Sequence, residues 1–105
     1  MKEETKVAIA KFVKERDWDR FHSPENLAKS ISIEAAELLE CFQWSSDFNV
    51  EHVKEELADV YIYAELLRRK LRLDEDDIIN AKLHKNEEKY PIAKAKGNAK
   101  KYTDL

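Results

Sequence analysis

Hydrophobic and polar residues alternate along most of this chain with the three- and four-residue spacing that is typical of amphipathic α-helices. The pattern predicts four helices, which cover residues 2 to about 17, 24 to about 43, 50 to 71 and 74 to about 90. The third is the longest, because apolar residues recur without interruption from Val50 to Leu71. Short polar stretches separate the helices, and we expect them to form the connections.

Capping residues support two of the predicted helix starts. Ser23 precedes Pro24, so a hydroxyl can accept a hydrogen bond from a free amide while proline occupies the first helical position at no cost. Asp74 is followed by two further aspartates, whose negative charge interacts favourably with the helix dipole. Pro91 then ends the fourth helix. Residues 92–105 are expected to be mobile or to be ordered against a partner subunit.

Composition limits the fold class and the number of domains. The chain has 105 residues, of which 43% are hydrophobic and 39% charged, with one glycine and two prolines. So few turn residues disfavour a sheet protein, and the length suits a single hydrophobic core. We therefore predict one all-α domain over residues 1–105, with a four-helix bundle-like protomer. Apolar residues outside the main helical faces, such as Ile33 and Ile62, predict self-association into a homo-oligomer.

Charge and cysteine content narrow the partners and the compartment. The 22 acidic residues nearly balance the 19 basic ones, which disfavours general binding to a nucleic-acid polymer. No apolar run is long enough for a signal peptide or a membrane span, so no membrane partner is expected. Cys41 is the only cysteine and is expected to act as a small buried hydrophobe. A cytoplasmic location fits these features best.

Acidic pairs border the apolar faces of two consecutive helices. Glu34 and Glu37 are three residues apart on the second helix, and Glu56 and Asp59 repeat that spacing on the third. Two antiparallel helices pack about 8 to 10 Å apart, so the four carboxylates can converge. Like charges beside a buried seam destabilise a bundle unless a cation neutralises them. Oxygen ligands of this kind favour Mg²⁺ or Mn²⁺ over Zn²⁺.

The alternative is that these acids belong to an ordinary solvated surface and bind no metal. The chain is rich in acids, and the same three-residue spacing occurs at Glu37 with Glu40 and at Asp74 with Asp77. Any single pair is therefore weak support for a metal site. The presence of pairs on both helices is what favours a metal site over an ordinary acidic surface.

Other residues are candidates for substrate contacts. Lys82, Asn86 and Tyr90 follow one another at four-residue spacing on the fourth helix and offer a cation and two hydrogen-bonding groups for phosphates. The alternative is a solvated helix face. Trp18 and His22 lie in a predicted connection rich in aromatic residues, which either caps the end of the bundle or forms a wall for base stacking.

The chain resembles the MazG-like all-α nucleotide pyrophosphohydrolases. The resemblance is carried by Glu34-Ala-Ala-Glu37, Phe42-Gln-Trp44 and Glu55-Glu-Leu-Ala-Asp59-Val-Tyr-Ile-Tyr63. Residues 16–26, 82–91 and 100–103 are similar in particular to the dCTP pyrophosphatase branch of that family. Ala36, where relatives often have glycine, and a short connection after Trp44 are the main departures.

The resemblance implies Mg²⁺-dependent cleavage of a nucleoside triphosphate, dCTP or a modified pyrimidine deoxynucleotide, between its α and β phosphates. Such an enzyme removes unwanted nucleotides and is built as a dimer or a dimer of dimers. The positions that match the family's metal ligands are Glu34, Glu37, Glu56 and Asp59. Lys82 and Asn86 match positions that hold the polyphosphate in that family. The positions that match residues around the nucleoside are His22, Asn26, Trp44 and Tyr63.

Glu37 is our candidate for the catalytic base, because it lies farther from the apolar seam than Glu34. Trp44 is the candidate for stacking on the base. Two other functional classes are also compatible with the sequence. One is a sensor that binds nucleotides without hydrolysing them, and the other is a helical interaction module without enzymatic activity.

Overall fold

The computed structural model describes residues 1–105 and contains only helices and turns. The helices are α1 (Glu3–Glu15), α2 (Pro24–Glu40), α3 (Val50–Lys70), α4 (Glu75–Lys89) and the short α5 (Ile92–Ala95). Single turns of 3₁₀-helix cover Asp19–Phe21 and Tyr102–Asp104. The all-α prediction and the four predicted helices are confirmed, and α5 is an addition within residues 92–105. None of these helices combines the length and the apolar character that crossing a bilayer requires.

Side-chain caps begin three of the helices. The Ser23 Oγ accepts a hydrogen bond from the Asn26 amide at 3.1 Å, with Pro24 at the first helical position. Asp74 Oδ2 accepts one from Asp77 at the start of α4, as the sequence predicts. Asn49 caps α3 in the same way, because its Oδ1 accepts from the Glu51 amide at 2.9 Å.

Two helices end earlier than the sequence predicts. The chain after α1 turns at Asp17, whose φ of 54° lies in the left-handed region. The Trp18 amide then donates to the Val13 carbonyl, which closes a Schellman-type end at Glu15. After Glu40, three successive amides donate to carbonyls only three residues back. Such bonds tighten the chain into a 3₁₀-like turn, so α2 stops before Gln43.

The chain divides into two compact units, Met1–Arg72 and Leu73–Leu105. In the first unit, α2 and α3 form the most extensive helix–helix interface, and α1 packs on α3. Val13, Leu27 and Leu66, one from each of the three helices, form the fully buried core. Ile9, Tyr63 and Leu67 pack around them.

The second unit contains α4, α5 and the C-terminal turn. The ring of Tyr102 meets the ring of Tyr90 edge-on, with the centroids 6.1 Å apart. The Tyr102 amide donates to the Tyr90 hydroxyl at 3.3 Å, and the Lys89 ammonium lies 4.8 Å from the Tyr102 ring centroid. Contacts within the same chain therefore join the C-terminal turn to the last turn of α4.

Many large apolar side chains are exposed on the single chain. Leu39 and Phe42 belong to the apolar face predicted for α2, yet they are 70% and 42% exposed. Tyr61 on α3 is 60% exposed, and Cys41 is only half-buried. The apolar face predicted for α2 is therefore only partly buried within this chain.

Candidate metal centre and adjoining groove

The four acids predicted from the sequence meet on facing turns of α2 and α3. Carboxylate oxygens of Glu34, Glu56 and Asp59 all lie within 4.8 Å of one another, and the three side chains are half-buried. Glu37 is exposed, and its carboxyl group lies close enough to those of Glu34 and Glu56 to contribute to raising the pKa of both. We call these four residues the acidic cluster.

Burial and repulsion by neighbouring acids make ionisation of Glu34 and Glu56 unfavourable. The pKa of Glu34 is raised from 4.5 to about 7, first by loss of hydration and then by the hydrogen bond and charge of Glu37. The charges of Asp59 and Glu56 add to this increase in the pKa of Glu34. The pKa of Glu56 is raised by burial, followed by the effects of Glu37 and Asp59. No positive charge is among the causes of either shift, so neither Glu34 nor Glu56 gains stabilisation from a cationic side chain.

Two carboxylate oxygens of the acidic cluster have no hydrogen-bond donor. Oε2 of Glu34 and Oε2 of Glu56 are buried and have no hydrogen-bond partner. No lysine, arginine or histidine forms an ion pair with any of the four acids. Buried polar atoms in folded proteins are nearly always paired, and a group of carboxylates is a typical ligand set for a hard divalent cation. The residues present therefore fit such an ion.

An apolar groove of about 450 Å³ adjoins the acidic cluster. It runs between α1 and α3 and shares Asp59 with the cluster. Its other lining residues are mainly apolar and aromatic, and they include Ile9, Phe12, Val13, Trp18, His22, Ile62, Tyr63 and Leu66. A mainly apolar concavity with a few polar groups is typical of small-molecule sites. We call this concavity the α1–α3 groove.

Two of the predicted nucleoside contacts lie in the α1–α3 groove. The rings of His22 and Tyr63 meet edge-on with their centroids 6.5 Å apart. Burial raises the pKa of the Tyr63 hydroxyl, and the charges of Glu34, Asp59 and Glu37 raise it further. Tyr63 is therefore electrostatically linked to the acidic cluster.

Trp18, for which the sequence left open a cap at the bundle end or a wall for base stacking, lines the α1–α3 groove. Its indole meets the Phe12 ring edge-on at 5.7 Å between centroids, and the two rings form one end of the apolar wall. The sequence showed aromatic residues in this connection without showing what they face. The signal that would have placed Trp18 is the left-handed turn at Asp17, which folds the connection back onto α1.

The remaining predicted contacts lie elsewhere. The Asn26 side chain donates to the Phe21 carbonyl at 3.0 Å, so it holds the turn before α2. Trp44 is 88% exposed and does not line the α1–α3 groove. Lys82 and Asn86 belong to α4 in the second unit, where Lys82 is exposed and Asn86 is half-buried. Tyr90, at the end of α4, uses its hydroxyl to accept from Tyr102.

Comparisons with known proteins agree on one family. Residues 29–105 match the sequence model described as the MazG-like family. The mouse (Mus musculus) protein named dCTP pyrophosphatase 1 is 38% identical over 106 residues, and the human (Homo sapiens) protein of that name is 36% identical. Both alignments cover 91% of this chain and 62% of the relative, so the chain spans less than two thirds of the relatives' length.

A solved structure has the same fold. The chain is similar to the crystal structure of a pyrophosphatase from Archaeoglobus fulgidus, with a TM-score of 0.76 and 41% sequence identity. That match covers 85% of this chain and 91% of the archaeal one. The likeness therefore extends over nearly the full length of both molecules.

Proposed function

Because the chain belongs to the MazG-like family, we propose that it is a nucleoside triphosphate pyrophosphohydrolase. Water attacks the α phosphorus of the substrate, the bond to the bridging oxygen of the β phosphate breaks, and a nucleoside monophosphate and pyrophosphate leave. The relatives named dCTP pyrophosphatase 1 support this reaction. The observation that carries the proposal is the pair of buried carboxylate oxygens, one on Glu34 and one on Glu56, without a partner.

The acidic cluster is proposed to hold Mg²⁺, for which Mn²⁺ can substitute. Glu34, Glu56 and Asp59 have oxygens close enough together to bind one ion, and Glu37 adds a fourth carboxylate. When bound, the cation neutralises phosphate charge and lowers the pKa of the attacking water. A bound cation would favour the ionised form of Glu34, whose pKa is raised by burial and by the neighbouring acids.

Glu37 is proposed as the general base. It is the only exposed residue of the acidic cluster, so its carboxylate is open to water. Its carboxyl group lies near those of Glu34 and Glu56, because it contributes to raising the pKa of both. A carboxylate in this position can take the proton of the attacking water while its neighbours keep the ligand in place.

The nucleoside is proposed to lie in the α1–α3 groove. The groove begins at Asp59, so a substrate whose phosphates meet the acidic cluster can extend its base along the wall that Phe12 and Trp18 form. His22 and Tyr63 supply the polar groups of the groove, and a site that hydrogen-bonds a base disfavours ligands that leave those groups unpaired. The names of the relatives support cytosine as the preferred base and dCTP as the substrate.

Lys82, Asn86 and Trp44 are proposed as further contacts, supported by resemblance to the family. Lys82 has no ion-pair partner, so its ammonium is available to a phosphate. Trp44 is 88% exposed on its own chain, so it requires a second copy to contribute to a closed pocket. Tyr90 is proposed to act by holding the C-terminal turn, because its hydroxyl is already bonded to the Tyr102 amide.

Self-association is proposed on the exposed apolar surface. Only three hydrophobic side chains are fully buried, whereas Ile33 on α2 and Tyr61 on α3 are 58% and 60% exposed. Large exposed apolar surfaces mark interfaces, and a second copy is the partner that the family resemblance implies. A homodimer or a dimer of dimers would cover these side chains. Multi-angle light scattering of a fully active monomer at micromolar concentration would contradict this proposal.

Product analysis tests the proposed reaction. The protein is incubated with dCTP and Mg²⁺, and the products are separated by anion-exchange chromatography. Equal amounts of dCMP and pyrophosphate are expected. Formation of dCDP and phosphate would place the cleavage at another bond, and tight dCTP binding without any product would favour the nucleotide sensor. An interaction module would neither bind nor cleave dCTP.

Two tryptophan variants test the position of the base. Trp18→Ala is expected to lower kcat/KM for dCTP about tenfold, because base stacking on an aromatic ring contributes roughly 1 to 3 kcal/mol. Trp44→Ala is expected to lower it only if a second copy completes the pocket, so the variant is measured together with the oligomeric state. Wild-type kcat/KM is compared across the four common deoxynucleoside triphosphates. A lack of advantage for dCTP would refute the base assignment without affecting the hydrolase proposal.

A further inference from the structure

A second cleft lies in the first unit, at the C-terminal end of α3. It has a volume of about 440 Å³ and is enclosed by the last turn of α1, the turn at Asp19–Phe21 and the end of α3. Lys14, Arg69, Lys70 and Arg72 line it together with His22 and a single acid, Asp19. We call it the basic cleft.

The basic cleft contains more positive charge than its own acid can neutralise. Lys70 forms an ion pair with Asp19 at 3.2 Å. Lys14, Arg69 and Arg72 form no ion pair within the chain. Four cations against one carboxylate leave an excess of three positive charges, although the whole chain carries a net charge of −3. A local excess of this kind in a concave surface attracts small anions.

His22 adds an unsatisfied polar atom to the wall of the basic cleft. Its Nδ1 is buried and has no hydrogen-bond partner. Its backbone amide donates to the Asp19 carbonyl at 3.0 Å, which fixes the His22 backbone at the end of the turn at Asp19–Phe21. His22 lines the α1–α3 groove as well, so it lies where the two cavities meet. A ligand with acceptor oxygens would supply the negative charge that the basic cleft lacks.

The cations of the basic cleft lie several turns along α3 from the acidic cluster. Arg69 follows Asp59 by ten residues, which corresponds to about 15 Å along the helix axis at 1.5 Å per residue. Arg72 lies still farther on. The two cavities share Val13, His22 and Leu66, but the four cations line only the basic cleft, whereas Asp59 lines only the α1–α3 groove. An anion bound by these cations would therefore occupy a different position from phosphates held at the acidic cluster.

We propose that the basic cleft is a second anion-binding site, for a small molecule that carries at least two linked phosphates. Four long basic side chains around a concavity of this size match several phosphate oxygens at once, whereas a single carboxylate ligand would leave most of the cations unpaired. Inorganic pyrophosphate and the polyphosphate group of a nucleotide share this chemistry. The site does not require the acidic cluster or a metal ion.

The test uses full-length protein in excess chelator, so that the acidic cluster holds no metal and repels anions. Pyrophosphate is titrated into ¹⁵N-labelled protein, and affinity is measured in parallel by calorimetry. Amide shifts are expected at residues 13–22 and 66–72, with a dissociation constant below about 1 mM that weakens as salt is added. A second arm uses α,β-imido dCTP. Tighter binding than pyrophosphate, with added shifts in the α1–α3 groove, would identify a nucleotide as the ligand.

Matched variants separate a built site from general surface charge. Lys14→Gln/Arg72→Gln is expected to weaken pyrophosphate binding at least about tenfold, because two charge-assisted hydrogen bonds are lost. Lys2→Gln/Lys11→Gln removes the same charge outside the basic cleft and should bind as the wild type does. Lys14→Arg/Arg72→Lys retains the charges and should retain most of the affinity, which excludes a folding defect as the cause.

Three results would overturn the proposal. They are equal weakening in the two glutamine double variants, shifts confined to residues 34–59, and no binding at millimolar pyrophosphate. Glu56→Gln is expected to leave pyrophosphate binding in chelator unchanged. The basic cleft can therefore be confirmed even if the proposed hydrolase activity is absent, and refuted even if that activity is present.

Discussion

Glu65 and Glu56 both lie on helix α3 and are both shielded from water, but their surroundings differ sharply. Glu65 is 4% exposed, and its carboxylate accepts hydrogen bonds from Arg68 Nε at 2.7 Å and Nη2 at 2.6 Å. Glu56, nine positions earlier, is half-buried, and its Oε2 has no donor at all. Its nearest charged neighbours are other acids. Burial is common to both residues, and the missing donor is what distinguishes Glu56.

This contrast teaches how a neutralised acid differs from one that lacks a counter-charge. A buried carboxylate with a bidentate arginine is neutralised within the protein and needs no further partner. A carboxylate that is crowded by like charges raises the free energy of the folded state. The acidic cluster therefore costs the protein stability, and the proposed binding of a metal ion would account for that cost.

The largest expected effect is on activity. Glu56→Gln and Asp59→Asn should each lower kcat/KM for dCTP about a hundredfold or more, because a metal ion contributes several kcal/mol of charge stabilisation in the transition state. Glu65→Gln should leave kcat/KM per folded molecule within a few-fold of wild type. Steady-state pyrophosphate release measures all three, with circular dichroism to verify the fold. A loss of activity in Glu65→Gln equal to that in Glu56→Gln would break the distinction.

Glu40→Gln serves as the matched control for the acidic cluster. Glu40 is exposed and lies one turn beyond Glu37 on α2, so its substitution removes the same charge from the same helix. We expect nearly unchanged turnover for Glu40→Gln and a large loss for Glu37→Gln. If both variants lose activity equally, the proposed role of Glu37 as base is wrong.

The next effect is on stability, with opposite signs at the two sites. Arg68→Ala leaves the Glu65 carboxylate buried without its bidentate partner and should lower the free energy of unfolding by about 3 kcal/mol. Glu34→Gln removes a charge from the acidic cluster and should raise the unfolding free energy of metal-free protein. Urea titrations at one fixed protein concentration measure both changes. A destabilised Glu34→Gln protein in chelator would show that Glu34 is structural.

The smallest expected effect is a pH dependence of stability in metal-free protein. The pKa of Glu34 is about 7 in the folded chain against 4.5 for a free side chain. Between these values the folded state keeps a proton that the unfolded state has released, so stability falls as the pH rises through this range. The wild type should therefore lose unfolding free energy relative to Glu34→Gln between pH 4.5 and 7. A constant difference between the two proteins would contradict the raised pKa.

The helices could be predicted well from the sequence because helical periodicity and capping are local properties. Ser23 and Asp74 identify the starts of α2 and α4 without any knowledge of the tertiary structure. The helix ends were less predictable. They depend on a left-handed residue at Asp17 and on a 3₁₀-like turn after Glu40, and neither residue type demands that conformation.

The acidic cluster could also be predicted, because facing pairs at helical spacing on two consecutive helices meet almost wherever the helices pack. The α1–α3 groove could not, since it depends on where α1 lies against α3 and on the turn that brings Trp18 onto Phe12. The basic cleft was missed for the same reason. Lys14 and Arg72 are far apart in the sequence and only the tertiary structure brings both to one wall.

Manganese binding measured by electron paramagnetic resonance tests the central claim most directly, because it detects the missing cation without requiring turnover. Wild-type protein should remove free Mn²⁺ from solution, Mg²⁺ should displace it, and Glu40→Gln should bind equally well. Glu34→Gln and Glu56→Gln should bind far more weakly, since each removes a carboxylate that now has a buried, unpaired oxygen. Equal Mn²⁺ binding by wild type, Glu34→Gln and Glu56→Gln would contradict the account.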